Sequence, residues 1–168
     1  KEVDASLFLD LNNLELFSFL VSNVVEEMKG TLKGETTIHG PIQKPALKGY
    51  LQFVDVGLTT VNPKLTFNIE DDRITLDQSA LSFNNFKLYD QEHHPLTIDG
   101  SITSKDYESF AYDLHINSDQ YALINNPDST SGKLRGALVI DSDIKLKGNE
   151  KDTDIEAKLT IKDATDLT

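Results

Sequence analysis

Over most of this chain every second residue is apolar, and that two-residue beat constrains the fold more than any other feature. Lys64-Leu65-Thr66-Phe67-Asn68-Ile69 and Pro95-Leu96-Thr97-Ile98-Asp99-Gly100-Ser101-Ile102 carry it. So do Phe110-Ala111-Tyr112-Asp113-Leu114-His115-Ile116 and Lys133-Leu134-Arg135-Gly136-Ala137-Leu138-Val139-Ile140. Successive side chains of a strand point to opposite faces, so the pattern specifies strands with one apolar and one wet face. A sheet built from them must hide its apolar face or use it.

The beat predicts strands at Glu2–Leu11, Lys29–His39, Ala46–Val56, Lys64–Glu70, Arg73–Asp77, Ala80–Phe83 and Phe86–Tyr89. It continues at Leu96–Ser104, Ser109–Asn117, Gln120–Ile124, Leu134–Asp141, Ile144–Lys147 and Asp154–Lys162. Gly40-Pro41, Asn62-Pro63, Asp71-Asp72, Asn84-Asn85, Asn126-Pro127-Asp128 and Gly148-Asn149 carry turn chemistry between them. The inward parity flips between Phe83 and Phe86, which requires a turn or a bulge at Asn84-Asn85. One segment breaks the pattern. Asn12 with Glu15 reads as a capping box, and Leu14, Phe17, Val21 and Val24 follow at helical spacing. A short helix is expected at about 13–27, covering apolar surface at one end of the sheet or docking on a neighbouring repeat. Gly30-Thr31-Leu32-Lys33-Gly34, Leu47-Lys48-Gly49-Tyr50-Leu51 and Gly132-Lys133-Leu134-Arg135-Gly136 are weakly self-similar, with glycines placed to let a sheet curve.

Charge and composition remove several function classes. The chain holds 28 acids against 16 basic residues, for a net charge of -12. With only Arg73 and Arg135 as arginines it cannot neutralise a phosphate backbone, so no nucleic-acid partner is expected. Anionic membrane surfaces are disfavoured for the same reason. There is no cysteine, which excludes disulfides, thiolate catalysis and zinc–thiolate sites. The longest apolar stretch, Phe17 to Val25, is too short and too polar to span a bilayer. Lys1-Glu2-Val3-Asp4 already reads as strand, and the chain is expected to be a single segment, residues 1–168, of a longer repetitive protein.

No catalytic motif emerges, and neither an enzyme nor a cofactor is expected. His93-His94, with Asp90 and Glu92 nearby, is the one histidine pair, but adjacent rings in a turn before Pro95 diverge. Asp71-Asp72 and Asp141-Ser142-Asp143 lack the calcium-loop pattern and read as solvated turns. The apolar face remains. Its candidate lining is Leu32, Ile38, Leu47, Leu51, Phe53, Leu65, Phe67, Ile69, Ile74, Leu76, Phe83 and Phe86. It continues through Leu88, Leu96, Ile98, Ile102, Phe110, Leu114, Ile116, Leu134, Leu138, Ile140, Leu146 and Leu159. If the sheet closes, these residues are an ordinary core. If it stays open and curls, they line a groove suited to acyl chains, since each buried CH2 contributes about 0.8 kcal/mol. A closed carbohydrate-binding sandwich is a third reading, and the absence of Trp counts against it.

Gly34-Glu35-Thr36-Thr37-Ile38-His39-Gly40-Pro41-Ile42-Gln43-Lys44-Pro45-Ala46-Leu47-Lys48-Gly49-Tyr50-Leu51-Gln52-Phe53 resembles the repeat of the TamB and AsmA-like family: a strand ending in Gly, a Pro-containing loop, then a short strand of Leu, Gly and Leu. Leu96-Thr97-Ile98-Asp99-Gly100, Leu134-Arg135-Gly136-Ala137-Leu138 and the leading strand with its leucine-rich segment are similar. The resemblance implies an all-β fold: an elongated, curved, mainly antiparallel sheet forming a taco-like hydrophobic groove, with one short helix near the N-terminal end. It implies a periplasmic protein anchored in the inner membrane of a Gram-negative bacterium and acting in outer-membrane biogenesis. The groove would shield phospholipid acyl chains between membranes. The alternative is chaperone-like assistance of outer-membrane barrel or autotransporter assembly, by strand augmentation with a TamA-like barrel partner. Implied partners are acyl chains or hydrophobic β-strand clients, the barrel protein, and neighbouring repeats of the same chain.

Overall fold

The computed structural model describes residues 1–20, 22–61, 64–126 and 136–167. The alternating residues form ten strands: β1 (Glu2–Leu11), β2 (Val25–Pro41), β3 (Ala46–Thr60), β4 (Thr66–Gln78), β5 (Ala80–Tyr89), β6 (Pro95–Ser104), β7 (Phe110–Asn126), β8 (Gly136–Asn149), β9 (Thr153–Ile161) and β10 (Asp166–Leu167). They make one antiparallel sheet in chain order from β1 to β8. Both β9 and the short β10 pair with successive stretches of β8. Among the described residues nothing pairs β1 with β9, so the sheet is curved and open, with β1 and β9 at its edges.

Several expected breaks are absent. Asp71-Asp72 lies inside β4, Asn84-Asn85 inside β5, Ser118–Gln120 inside β7 and Asp141-Ser142-Asp143 inside β8, so four pairs of short strands are single long ones. The expected helix at 13–27 is also corrected. A 3₁₀ segment, Leu14–Leu20, is all that forms, and its first turn is capped by Asn13, whose Oδ1 accepts the Glu15 N–H at 3.0 Å. The β-branched Val24-Val25 favour extended backbone, and Val25 pairs with Thr60 at the start of β2. The segment packs against β2, and buried Leu14 joins Val56, Ile69 and Phe86 in the core cluster.

The long strands stay regular by bending. Gly30, Asp55, Asn85 and Gly100, in β2, β3, β5 and β6, all have positive φ and fall close to one line across the sheet. The β2–β3 register shifts between Lys29 and Thr31, and the β5–β6 register between Phe83 and Phe86, the site of the expected parity flip. A bulge bends its strand and sharpens the local twist, so this line is the crease about which the sheet curls. Glycine is required at two of these points. A Cβ on Gly30 (φ +102°) would sit 2.4 Å from the Asp55 carbonyl oxygen, and one on Gly100 (φ +117°) 2.1 Å from that of Asp113.

Bulges free backbone N–H groups from the ladder, and buried donors need partners. Aspartates supply them. Asp99 Oδ1 accepts the Asn85 N–H at 2.7 Å, Asp72 Oδ2 that of Lys87 at 2.9 Å, and Asp141 Oδ1 that of Gln120 at 2.9 Å. Asp90 Oδ2 accepts the Ala122 N–H at 2.8 Å. Part of the acidity that reads in the sequence as solubility is therefore structural.

Candidate functional site

Residues directly opposed in an antiparallel ladder share a face. Rows of opposed residues therefore trace the apolar face from strand to strand. Phe86, Ile98, Ile116, Ile144 and Ala157 form one row across β5 to β9. Leu76, Leu81, Ile102 and Tyr112 form a second, and Gly100, Leu114, Leu146 and Ile155 a third. On the other side Leu32 opposes Phe53, Ile38 opposes Leu47, and Leu51 opposes Ile74. Within β3, β4 and β5 the inward parity changes from odd to even or the reverse. The apolar residues nevertheless stay on one side, as edge-on contacts of Phe86 with Phe53 (5.6 Å) and Phe83 (5.8 Å) show.

The structure thus places the predicted lining residues of β2 to β9 on the concave face, with Leu65 immediately before β4. Leu134 lies outside the described residues. Sequence reasoning passed over Val56, Leu58, Leu81, Tyr121, Ile144 and Ile155 on the same face. The signal for Ile144 and Ile155 was the same alternation, obscured by reading Asp141–Asp143 as a turn.

The face is packed in places and exposed along both sheet edges: Leu7 on β1 is 57% exposed, while Tyr121 and Ile140 in β7 and β8 are buried. Val56, Ile69 and Phe86 are buried under Leu14 and their aromatic neighbours. At the far edge Ile155, Leu159 and Ile161 are 60%, 57% and 67% exposed. Packed and exposed stretches therefore share one apolar surface. Eight inter-strand spacings of about 4.8 Å give the face a length of roughly 38 Å. The convex face is wet. Across β7 to β9 it carries ion pairs Lys147–Asp113 (2.8 Å), His115–Asp143 (2.8 Å), Lys145–Glu156 (3.7 Å) and Lys162–Asp141 (2.8 Å). Lys162 and the Gln120 N–H hold the Asp141 carboxyl below the usual carboxylate range.

Each lip of the curved sheet is pinned by one side chain that the sequence did not single out. At one lip the Tyr107 hydroxyl donates to the carbonyl oxygens of Pro45 and Gln78, gathering three hairpin turns over an apolar pocket of about 130 Å³ lined by Leu47, Leu76, Leu81, Ile102 and Phe110. At the other, Asp90 is 3% exposed. Its carboxylate accepts the backbone N–H groups of Glu92 (2.9 Å), His94 (2.8 Å) and Ala122 (2.8 Å), and meets His94 Nδ1 at 3.1 Å. Burial alone would raise its pKa. The hydrogen bonds from Ala122, His94 and Glu92 outweigh it and bring the value below normal. The histidine pair divides, with His94 on Asp90 and His93 stacked on Tyr89 (4.5 Å) beside Glu70 (3.3 Å).

Tyr121 lies on the concave face opposite Ile140 and is 1% exposed. Among the described residues its Oη has no hydrogen-bond partner. Burial, then the Asp90 charge, raises the phenol pKa well above normal, so the group stays neutral. Tyr121→Phe removes an unsatisfied buried hydroxyl and keeps the ring. It is expected to raise stability by about 1 kcal/mol in a urea titration, with an unchanged slope.

Among the described residues no helix is long and apolar enough to cross a membrane. The family described as the TamB C-terminal domain matches residues 84–168, just over half of the chain. No curated protein and no solved structure matches.

Proposed function

Because the chain belongs to the TamB family of envelope translocation and assembly modules, we propose that its concave face shields phospholipid acyl chains as they pass between the inner and outer membranes. The observation that carries this reading is the largely apolar face of an open sheet, exposed toward β9. Solvated apolar surface on this scale usually marks an interaction site. An acyl chain needs only length and dryness, and the face is longer than the roughly 30 Å hydrocarbon core that accommodates two chains end to end. Charge sits on the convex side and at bulges, and the work is shielding rather than catalysis. On this reading the protein operates in the periplasm as part of an inner-membrane-anchored assembly.

The test is a photo-crosslinkable phospholipid read position by position. Crosslinks are expected at Leu114, Ile144 and Leu159 and not at their convex neighbours Asp113, Lys145 and Thr160. Uniform labelling of both faces, or none, overturns the reading. A second reading draws on the open edge of β9: assistance to outer-membrane barrel or autotransporter assembly, with a TamA-like partner, by pairing a client strand there. Competition by an amphipathic strand peptide, without loss of lipid crosslinks, separates the two.

A further inference from the structure

The β9 edge, which the second reading offers to a client strand, is also complementary to itself. Its register with β8 is regular from Thr153 to Ile161, with no bulge and no proline. The Lys162 N–H bonds Val139 O at 2.9 Å, and Asp152 O accepts the Asn149 N–H at 2.8 Å. Backbone groups alternate along a strand, so even-numbered residues serve β8. Odd-numbered Thr153, Ile155, Ala157, Leu159 and Ile161 turn their N–H and C=O groups to the open edge. The side chains of these same residues lie on the concave face. Natural edges are blunted by bulges, proline, inward charge or edge charges; β9 has no bulge, proline or inward charge, and its edge charges, Asp154, Glu156 and Lys158, are of both signs.

We propose that β9 pairs with β9 of a second copy, antiparallel about a two-fold axis through Ala157. In that register Ala157 opposes its own copy, Ile155 opposes Leu159, and Thr153 opposes Ile161. All are odd-numbered, so each pair exchanges two backbone hydrogen bonds. On the convex side Glu156 meets Lys158 twice, and Asp154 meets Thr160 twice. Shifting the register by two residues either way sets Glu156 against Glu156 or Lys158 against Lys158, which cross-strand repulsion disfavours. The β1 edge lacks this self-complementarity. Its convex side bears Glu2, Asp4 and Asp10 with no base, so its fullest antiparallel self-pairing sets acid against acid. A two-fold normal to the sheet keeps both concave faces on one side. The dimer therefore doubles the apolar face whatever its cargo, and it consumes the edge, so assembly stops at two.

The full chain is studied by sedimentation equilibrium over a concentration series. Growth from the 18.7 kDa monomer to twice that mass is expected. Lys158→Glu places two acid–acid contacts at the interface and is expected to weaken association about tenfold or more. Adding Glu156→Lys restores opposite charges and dimerisation, which a merely structural role for either side chain would not do. Circular dichroism checks that both variants keep the sheet. With no native cysteine, Ala157→Cys is expected to form a disulfide dimer readily, since paired Cα atoms about 5.5 Å apart suit the bond, and Ala5→Cys on β1 is not. A monomer at all concentrations, a dimer insensitive to Lys158→Glu, or equal crosslinking through Ala5→Cys overturns the proposal.

Discussion

Replacing Asp90 with alanine is expected to lower stability by about 3 kcal/mol, roughly 6–12 °C in melting temperature for a chain of this size. The residue looks unremarkable in sequence, an acid in a turn. In the structure its buried carboxylate gathers the β5–β6 turn and the bulged end of β7 into one unit through bonds from Glu92, His94 and Ala122. Removing it leaves the Ala122 N–H buried and unpaired, because that residue is 8% exposed and the β7–β8 ladder shifts register on either side of it. Asp90→Asn would be little better, since the new amide turns a donor toward donors. The interaction also has a pH signature. A carboxyl whose pKa is lower in the folded than in the unfolded state stabilises fully above the unfolded value of about 3.9. That stabilisation is lost as pH falls through the folded value. Wild-type protein is therefore expected to lose stability below about pH 4 more steeply than Asp90→Asn, in melts from about pH 2 to 6. Parallel acid limbs for the two proteins would refute this account of Asp90.

The same residue marks where sequence reasoning stops. Alternation was legible because a strand repeats every two residues whatever its partners, and β1 was bounded from its side chains alone. The flip at Phe83–Phe86 was legible because apolar residues changed parity in full view. Asp71-Asp72 and Asp141-Ser142-Asp143 were misread, for a physical reason. A carboxylate that accepts an N–H in a turn and one that accepts an N–H freed by a bulge are the same chemistry, and only the partner tells them apart. Those partners are distant in sequence: Lys87 for Asp72, Gln120 for Asp141, Ala122 for Asp90. The Tyr107 pin, reaching Pro45 and Gln78 from the β6–β7 turn, leaves no local trace either. The helix was over-read because apolar spacing from Leu14 to Val24 fits a helical period, while Val24-Val25 and the ladder to Thr60 favour strand. That the apolar residues gather on one face was legible from their alternation. The division of that face into packed and exposed stretches was not, because it depends on where Leu14, Tyr121 and the phenylalanine rings converge.

That division decides where a single charge has its largest functional effect. Leu114→Glu is expected to reduce acyl-chain occupancy of the concave face by two to three orders of magnitude while the sheet stays folded. Leu114 opposes Gly100 on one side and Leu146 on the other, and it is only half-buried on the concave face. A glutamate there can remain hydrated when the groove is empty, so its cost to folding is modest. When an acyl chain covers it, the carboxylate loses its water with no partner in reach. The effective penalty for such a charge is several kcal/mol, and each 1.4 kcal/mol is about tenfold in binding. Thr75→Glu, on the convex side of β4 between Tyr50 and Ser82, places the same charge in water and is expected to leave occupancy unchanged. Phe67→Glu lies next to the buried cluster of Val56 and Ile69 and is expected to damage folding as well as binding. Measuring lipid crosslinks and urea stability on all three variants separates these outcomes. Equal lipid uptake by Leu114→Glu and Thr75→Glu would show that chains do not run along the concave face, and the edges of the sheet would then be the surface on which this protein acts.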